Sequence, residues 1–157
     1  EYEGWSKVTS IVAGGRRRQD SVRLGLSEAY KSHWTVIHDG ARPCITPRIL
    51  ENSLIHASIN GSAVAAVPVK DTIKIVNESL IVSKTLDRKH LWAVQTPQVF
   101  ATKALRHAHE KITEDVTDDA SMMEALGEKV SLFQSEYSNI KVTTEEDIHL
   151  IEVLMNN

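Results

Sequence analysis

The sequence predicts an α/β domain in which a mainly parallel sheet carries helices on its faces and a β-arm protrudes from it. Three observations predict this. Between residues 7 and 67, short β-branched apolar runs alternate with helical patterns, the signature of strands joined by right-handed crossovers. At Val69 the rhythm changes to two strand-like runs flanking Asn77-Glu78-Ser79, which reads as a hairpin and not as another crossover unit. The chain of 157 residues is 41% hydrophobic, enough for one core, and it shows no repeat, low-complexity tract or linker. A single domain over residues 1–157, with the arm at about 69–88, is therefore expected.

Lys7 to Val12 has strand character, and Gly14-Gly15 breaks it. A helix follows, with Asp20 or Ser21 able to cap it and Val22, Leu26, Ala29 and Tyr30 at helical spacing. Trp34 to His38 is short and apolar, a strand buried on both faces, with Asp39 at its carboxyl end. After the turn Gly40 to Cys44, Thr46-Pro47 reads as N-cap and first helical residue, and Gly61 as the stop. Ser62 to Val67 is the next strand. The arm runs, Val69 to Val76 and Leu80 to Leu86, have few core partners, so this hairpin is expected to pack on another subunit or a lid. Helices over Thr102 to Glu114 and Asp118 to Leu126 follow, the second stopped by Gly127. Lys129 to Gln134 and Asn139 to Val142 are the last expected strands. Thr143-x-x-Glu146 then reads as a capping box for a final helix carrying Ile148, Ile151, Val153 and Leu154.

Composition narrows function by exclusion. With 18 Lys+Arg against 21 Asp+Glu the net charge is -3, and the only basic run is Arg16-Arg17-Arg18, which argues against a nucleic-acid surface. The single cysteine, Cys44, cannot form an internal disulfide and reads as a packing residue in a reducing compartment. No Cys/His cluster has zinc spacing, and the seven histidines are scattered. No apolar run reaches the roughly 18 residues of a membrane helix, so a cytoplasmic protein is expected.

In an open α/β sheet, ligands bind beyond the carboxyl ends of the strands. Gly14-Gly15-Arg16-Arg17-Arg18-Gln19-Asp20-Ser21 joins a strand to a helix, so its amides and the Ser21 hydroxyl could meet a nucleotide, or it could be a polar loop. His38-Asp39-Gly40-Ala41-Arg42-Pro43 sets a carboxylate and a guanidinium three residues apart at a strand mouth. That pair suits a divalent metal and a phosphate, and it equally suits a local ion pair or N-cap. Lys70-Asp71-Thr72, Asp87-Arg88, Gln95-Thr96-Pro97-Gln98 and Lys141 each read singly as surface or turn residues. Thr117-Asp118-Asp119-Ala120-Ser121 reads as a helix N-cap with acids favoured by the helix dipole.

Taken together, in order and spacing, these segments with Val67-Pro68-Val69-Lys70-Asp71-Thr72-Ile73-Lys74, Leu91-Trp92 and Asn139-Ile140-Lys141-Val142-Thr143 make the chain resemble the 2-C-methyl-D-erythritol 4-phosphate cytidylyltransferase family from about Ile11 to Leu154. The resemblance implies a Rossmann-like nucleotidyltransferase fold and a homodimer whose β-arms embrace. It implies that Gly15 and Ser21 contact the cytosine nucleotide, that Asp39 helps bind Mg²⁺ and that Gly40 approaches the nucleotide through its backbone. Arg42, Thr96, Thr117 and Lys141 match substrate residues, as do Thr72 and Arg88, which the partner's arm would lend. The implied reaction is attack of the sugar-alcohol phosphate on the α-phosphorus of CTP, with Asp39, Arg42 and Lys141 serving the charge on the transferring group.

The family also begins with a strand and a glycine-rich loop bearing Arg and Lys, which has no counterpart in these residues, so an N-terminally incomplete domain of a longer protein is expected. Two further departures are Gly40, where alanine is common, and Arg16, where an acidic residue can occur. The related ribitol 5-phosphate cytidylyltransferases share the Asp-x-x-Arg-Pro, Asp-Thr and Thr-Pro-Gln features, whereas Leu91 to Gln98 and the arginine-rich loop look more like the isoprenoid enzyme. The alternative from another class is an inactive dimerisation or ligand-binding remnant. A bacterial cytoplasm is favoured over a plastid.

Overall fold

Small apolar residues make Ser62 to Pro68 (SAVAAVP) able to lie between neighbours on both sides, and in the computed structural model this strand is the axis of the sheet. The structure describes residues 6–29 and 31–156. In chain order they form α1 (Arg18–Glu28), β1 (Trp34–Ile37), α2 (Pro47–Asn60), β2 (Ser62–Pro68), β3 (Lys74–Val76), β4 (Val82–Thr85), a 3₁₀ turn (Arg88–His90), β5 (Trp92–Ala101), α3 (Thr102–Lys111), α4 (Asp119–Ala125), β6 (Leu132–Gln134) and α5 (Glu145–Met155).

The main sheet has the order β1-β5-β2-β6. β5 pairs antiparallel with both β1 and β2, and β6 is parallel to β2. Thus β1, β2 and β6 share one direction, as a crossover fold requires, and β5 returns from the arm against them. Alternation along β2 and β5 sends side chains to opposite faces. On one face Val64 and Phe100 pack with Leu26, Leu105 and Met122 from α1, α3 and α4; on the other Ala63, Ala65 and Val99 pack with Ile49, Ala57 and Phe133, largely under α2.

Local signals set several boundaries as expected. Thr46 accepts a hydrogen bond from the Ile49 N–H at α2, Pro47 is its first residue, and Gly61 ends it at φ 82°. Asp118 caps α4. The arm is an antiparallel β3–β4 hairpin, shorter than the two runs that foretold it, and it leaves Leu80 at 80% and Ile81 at 64% exposure.

Other expectations are corrected. Lys7 to Val12 is not a strand; Val8, Ile11 and Val12 are exposed, and among the described residues no strand lies beside them to satisfy a ladder. α1 begins earlier than Asp20, because the Asp20 carboxylate at its third position accepts the Arg17 N–H at 3.1 Å. Of the residues expected to line that helix, Tyr30 lies outside the described residues. Asn139 to Val142 is not a strand: it forms no ladder, and its backbone reaches the end of β1 through Val142 N–H to the Ala41 carbonyl at 2.8 Å. The final cap is one residue later, since Asp147 accepts from the N–H groups of Thr143 and Thr144 at 2.8 and 2.9 Å. β5 has no counterpart among the expected strands. Among the described residues no helix is long and apolar enough to cross a membrane.

Candidate active site

The carboxyl end of β1 opens into a cleft of about 300 Å³ between the β5 strand, the loop before α4 and the segment after β6. Asp39, Arg42, Thr96, Thr117 and Lys141, five residues singled out in four separate segments of sequence, all line it. A hollow of about 370 Å³ between α1 and α3, beside Arg23 and Arg106, contains none of the candidate site residues.

Asp39 is the centre of the cleft's charge. Its carboxylate lies 3.1 Å from Lys141 Nζ, 3.5 Å from Arg18 Nε and 3.8 Å from Arg42 Nε, and only 17% of the side chain is exposed. Burial works to raise its pKa, but the hydrogen bond and charge of Lys141, followed by the charges of Arg18 and Arg42, hold it below the ordinary carboxylate value. Burial likewise lowers the pKa of Arg42, with Asp39 pulling the other way. The guanidinium remains a cation. Arg18, Arg42 and Lys141 are the groups that can meet phosphates, while Asp118 in the same lining and Asp119 against Arg18 bring the local charge close to balance.

Backbone contacts fix these groups. Arg42 Nη1 donates to the Asn139 carbonyl at 2.8 Å, so the Arg42 turn and the Lys141 segment are tied together. Its Nε, though buried, has no hydrogen-bond partner. The Asp39 N–H donates to the Thr96 hydroxyl at 3.0 Å, joining β1's end to β5. The Thr117 hydroxyl lies 3.0 Å from that of Ser121, at the start of α4. Asn139, fully buried, donates through its amide to Gln95 Oε1 and to the Thr96 carbonyl.

Sequence reasoning missed Arg18, Gln98 and Asp118, which also line the cleft. Arg18 Nη1 donates to Asp119 Oδ2 at 2.7 Å while its Nε faces Asp39. Burial opposes its charge, yet the attraction of Asp119 and then Asp39 raises its pKa above the ordinary value. The available signal was its place in the Gly-Gly loop, where it stands as one of three arginines. Gln98 donates to Asp118 Oδ2 at 2.8 Å and accepts from the Ala120 N–H, bracing the α4 start against β5.

Five other candidates lie outside the cleft lining. The Gly15 N–H donates to Ser21 Oγ at 2.9 Å, closing the loop before α1 on itself. A Cβ at Gly15 would fall 2.3 Å from Asp20 Cβ, so that close turn admits only glycine. Gly40 has nothing within 4 Å of a Cβ position and is not sterically required. Thr72 and Arg88 sit at the root of the arm, where Arg88 Nη1 donates to the Lys70 carbonyl at 2.5 Å. For a divalent cation the cleft offers one hard ligand, the Asp39 carboxylate, because the Asp118 oxygens are already engaged by Ser121 and Gln98. Among the described residues no group of three or more His, Cys, Asp or Glu is gathered for a metal. That chemistry fits Mg²⁺, which is commonly held by one or two carboxylates together with substrate phosphates and water, and it does not fit a protein-only cage.

A sheet whose strand ends carry a carboxylate, Asp39, faced by three cations, with helices on both faces, is that of a Rossmann-like nucleotidyltransferase. More narrowly, the chain belongs to the 2-C-methyl-D-erythritol 4-phosphate cytidylyltransferase family, whose model matches residues 4–157. A protein of that name from Dehalococcoides mccartyi is 45% identical over 155 residues, covering 99% of this chain and 68% of the relative. One from Clostridium novyi is 44% identical, with 96% and 67% covered. The crystal structure of the Thermus thermophilus protein of the same name matches with a TM-score of 0.84 at 34% identity, over 93% of this chain and 73% of that one. That of 4-diphosphocytidyl-2C-methyl-D-erythritol synthase from Anaerococcus prevotii matches with a TM-score of 0.86 at 31% identity, over 94% and 68%. The chain thus spans about two thirds to three quarters of the length of these relatives.

Proposed function

We propose that this chain transfers a cytidylyl group from CTP to 2-C-methyl-D-erythritol 4-phosphate. The observation that carries the proposal is the convergence of Asp39, Arg42, Thr96, Thr117 and Lys141 on one cleft in a member of this family. A phosphate oxygen of the sugar alcohol forms the new bond to the α-phosphorus of CTP, and the bond from that phosphorus to the bridging oxygen breaks as pyrophosphate leaves. The substrate brings its own nucleophile, so the protein's work is positioning and charge stabilisation.

In this reading Lys141 and Arg42 hold negative charge that builds on the transferring group. Thr96 and Thr117 orient the sugar-alcohol phosphate. Gly15, Ser21 and Gly40 belong to the nucleotide side. Asp39 would hold Mg²⁺, which when bound supplies charge neutralisation and alignment of the phosphates. Asp39 also keeps Lys141, Arg18 and Arg42 gathered. The exposed apolar arm is the dimer contact, two chains embracing so that Thr72 and Arg88 of one reach the cleft of the other.

The test is pyrophosphate release by this polypeptide with CTP and Mg²⁺, in parallel with methylerythritol 4-phosphate and ribitol 5-phosphate. Turnover with the first substrate is expected, and Asp39→Asn should lower it by about 10²-fold or more with the fold retained. Turnover with ribitol 5-phosphate alone overturns the substrate, and inactivity with both in a folded sample overturns the reading for this chain.

A further inference from the structure

In the sequence His38 is merely the residue before Asp39, yet both of its ring nitrogens are engaged, and the two contacts differ in kind. Nε2 lies 2.9 Å from the Arg42 carbonyl oxygen, and Nδ1 lies 3.0 Å from the Thr96 hydroxyl. A carbonyl oxygen has no proton to give, so Nε2 must carry the hydrogen. With that hydrogen on Nε2, Nδ1 is an acceptor, and among the described residues the donor facing it is the Thr96 O–H. The same hydroxyl oxygen accepts the Asp39 N–H at 3.0 Å. Its one proton and one of its two lone pairs are thereby committed.

We infer that His38 is a positioning residue that sets the polarity of Thr96: with its hydrogen on Nε2, facing the Arg42 carbonyl, its Nδ1 draws the Thr96 hydroxyl proton away from the cleft. Thr96 then meets a ligand as an acceptor alone. A phosphate oxygen, which only accepts, gains nothing there, whereas a hydroxyl group of the sugar alcohol can donate to the remaining lone pair. The surrounding cations, Arg18, Arg42 and Lys141, supply the donors for phosphate, so the cleft separates the two kinds of substrate oxygen by polarity. The Nε2 contact adds a second task, because the Arg42 carbonyl it holds closes the Asp39 to Arg42 turn, itself bridged by Arg42 N–H to the Asp39 carbonyl at 3.0 Å. The inference deepens the transferase reading and rests on it for its kinetic consequence; the tautomer itself does not.

Two isosteres separate the contacts. Asparagine places its side-chain oxygen where Nδ1 stood and keeps an acceptor for Thr96; glutamine places its amide nitrogen where Nε2 stood and keeps only the Arg42 contact. His38→Gln should raise the KM for the sugar-alcohol phosphate about tenfold, the worth of one well-placed hydrogen bond, with the KM for CTP within about twofold of wild type. His38→Asn should restore it to within about threefold. In a Thr96→Val background the His38→Gln change should add nothing further, since the hydroxyl through which it acts is gone. Gln matching wild type while Asn does not, or effects that multiply in the double variant, would overturn the inference.

An independent readout needs no turnover. In the ¹⁵N-labelled full chain, the His38 imidazole signals, assigned by their loss in His38→Asn, should show a protonated Nε2 and an unprotonated Nδ1. The Nδ1 signal should move in Thr96→Val as its hydrogen bond is lost. A protonated Nδ1 with a bare Nε2, or an Nδ1 signal indifferent to Thr96→Val, refutes the positioning role. An inactive chain with the expected signals would instead count against the transferase reading and leave the tautomer upheld.

Discussion

Replacing Arg18 by alanine tests the strut that links the cleft to the core. Arg18 is one-third exposed, but its Nη1 lies 2.7 Å from a carboxylate oxygen of Asp119, which is 1% exposed and whose other oxygen is 3.0 Å from His109 Nε2. Removing the guanidinium strands an ionised group in the interior with one imidazole donor left. Breaking a buried pair in this way costs about 3–5 kcal/mol, and the partial exposure of Arg18 discounts it to about 3. For a chain of this size that is a fall of roughly 6–12 °C in Tm. Urea denaturation followed by circular dichroism measures it, with the double variant Arg18→Ala, Asp119→Asn as the control. The double variant should recover at least half of the loss, because the stranded charge is gone while an oxygen still accepts from His109. A loss under about 1 kcal/mol, or a double variant no more stable than the single, refutes the view that Arg18 neutralises Asp119.

The remaining predictions concern the dimer, the acid limit and the loop before α1. If the arm lends Arg88 across a dimer, mixed subunits of Arg88→Ala and Asp39→Asn should regain part of the activity that each homodimer lacks; verified heterodimers with no gain would exclude sharing. Asp20 is held at about 2, against an ordinary 3.8, chiefly by its hydrogen bonds to Arg17. Because the folded value is the lower one, its contribution is complete above about pH 4 and fades as pH falls toward 2. Asp20→Asn should therefore lower Tm at pH 7 and flatten the dependence of Tm on pH between about 4 and 2; an unchanged slope counts against the pair. Gly15→Ala must relieve a 2.3 Å contact and should cost about 1–3 kcal/mol by thermal melting, whereas Gly40→Ala, with open space, should stay within about 0.5. Equal effects at the two glycines would contradict the close turn.

How much was legible follows from where each signal resides. Thr46, Pro47 and Gly61 act on their own helix ends, so α2 could be read to the residue. β5 could not, because Gln95, Thr96, Pro97 and Gln98 read as a polar turn; they are buried because Asp118, Ala120, Glu136, His38 and Asn139 meet their polar atoms across the fold. Polar groups enter a core only when partners await them, and partners brought by topology leave no mark on the local pattern.

The site divides in the same way. Asp39 and Arg42 were visible because they stand three positions apart at a strand end, and the family motifs marked Thr96, Thr117 and Lys141. Arg18 escaped because its buried partner, Asp119, is 101 residues away. By itself the sequence determined the α/β class, the arm, most helix ends and the five residues that meet in the cleft, since propensity, capping and motif order are local properties of the chain. Only the tertiary structure decided that β5 runs between β1 and β2, that Asp39 is ringed by three cations and that His38 faces Thr96, because electrostatic and hydrogen-bond partnerships depend on distances in space that spacing along the chain does not encode.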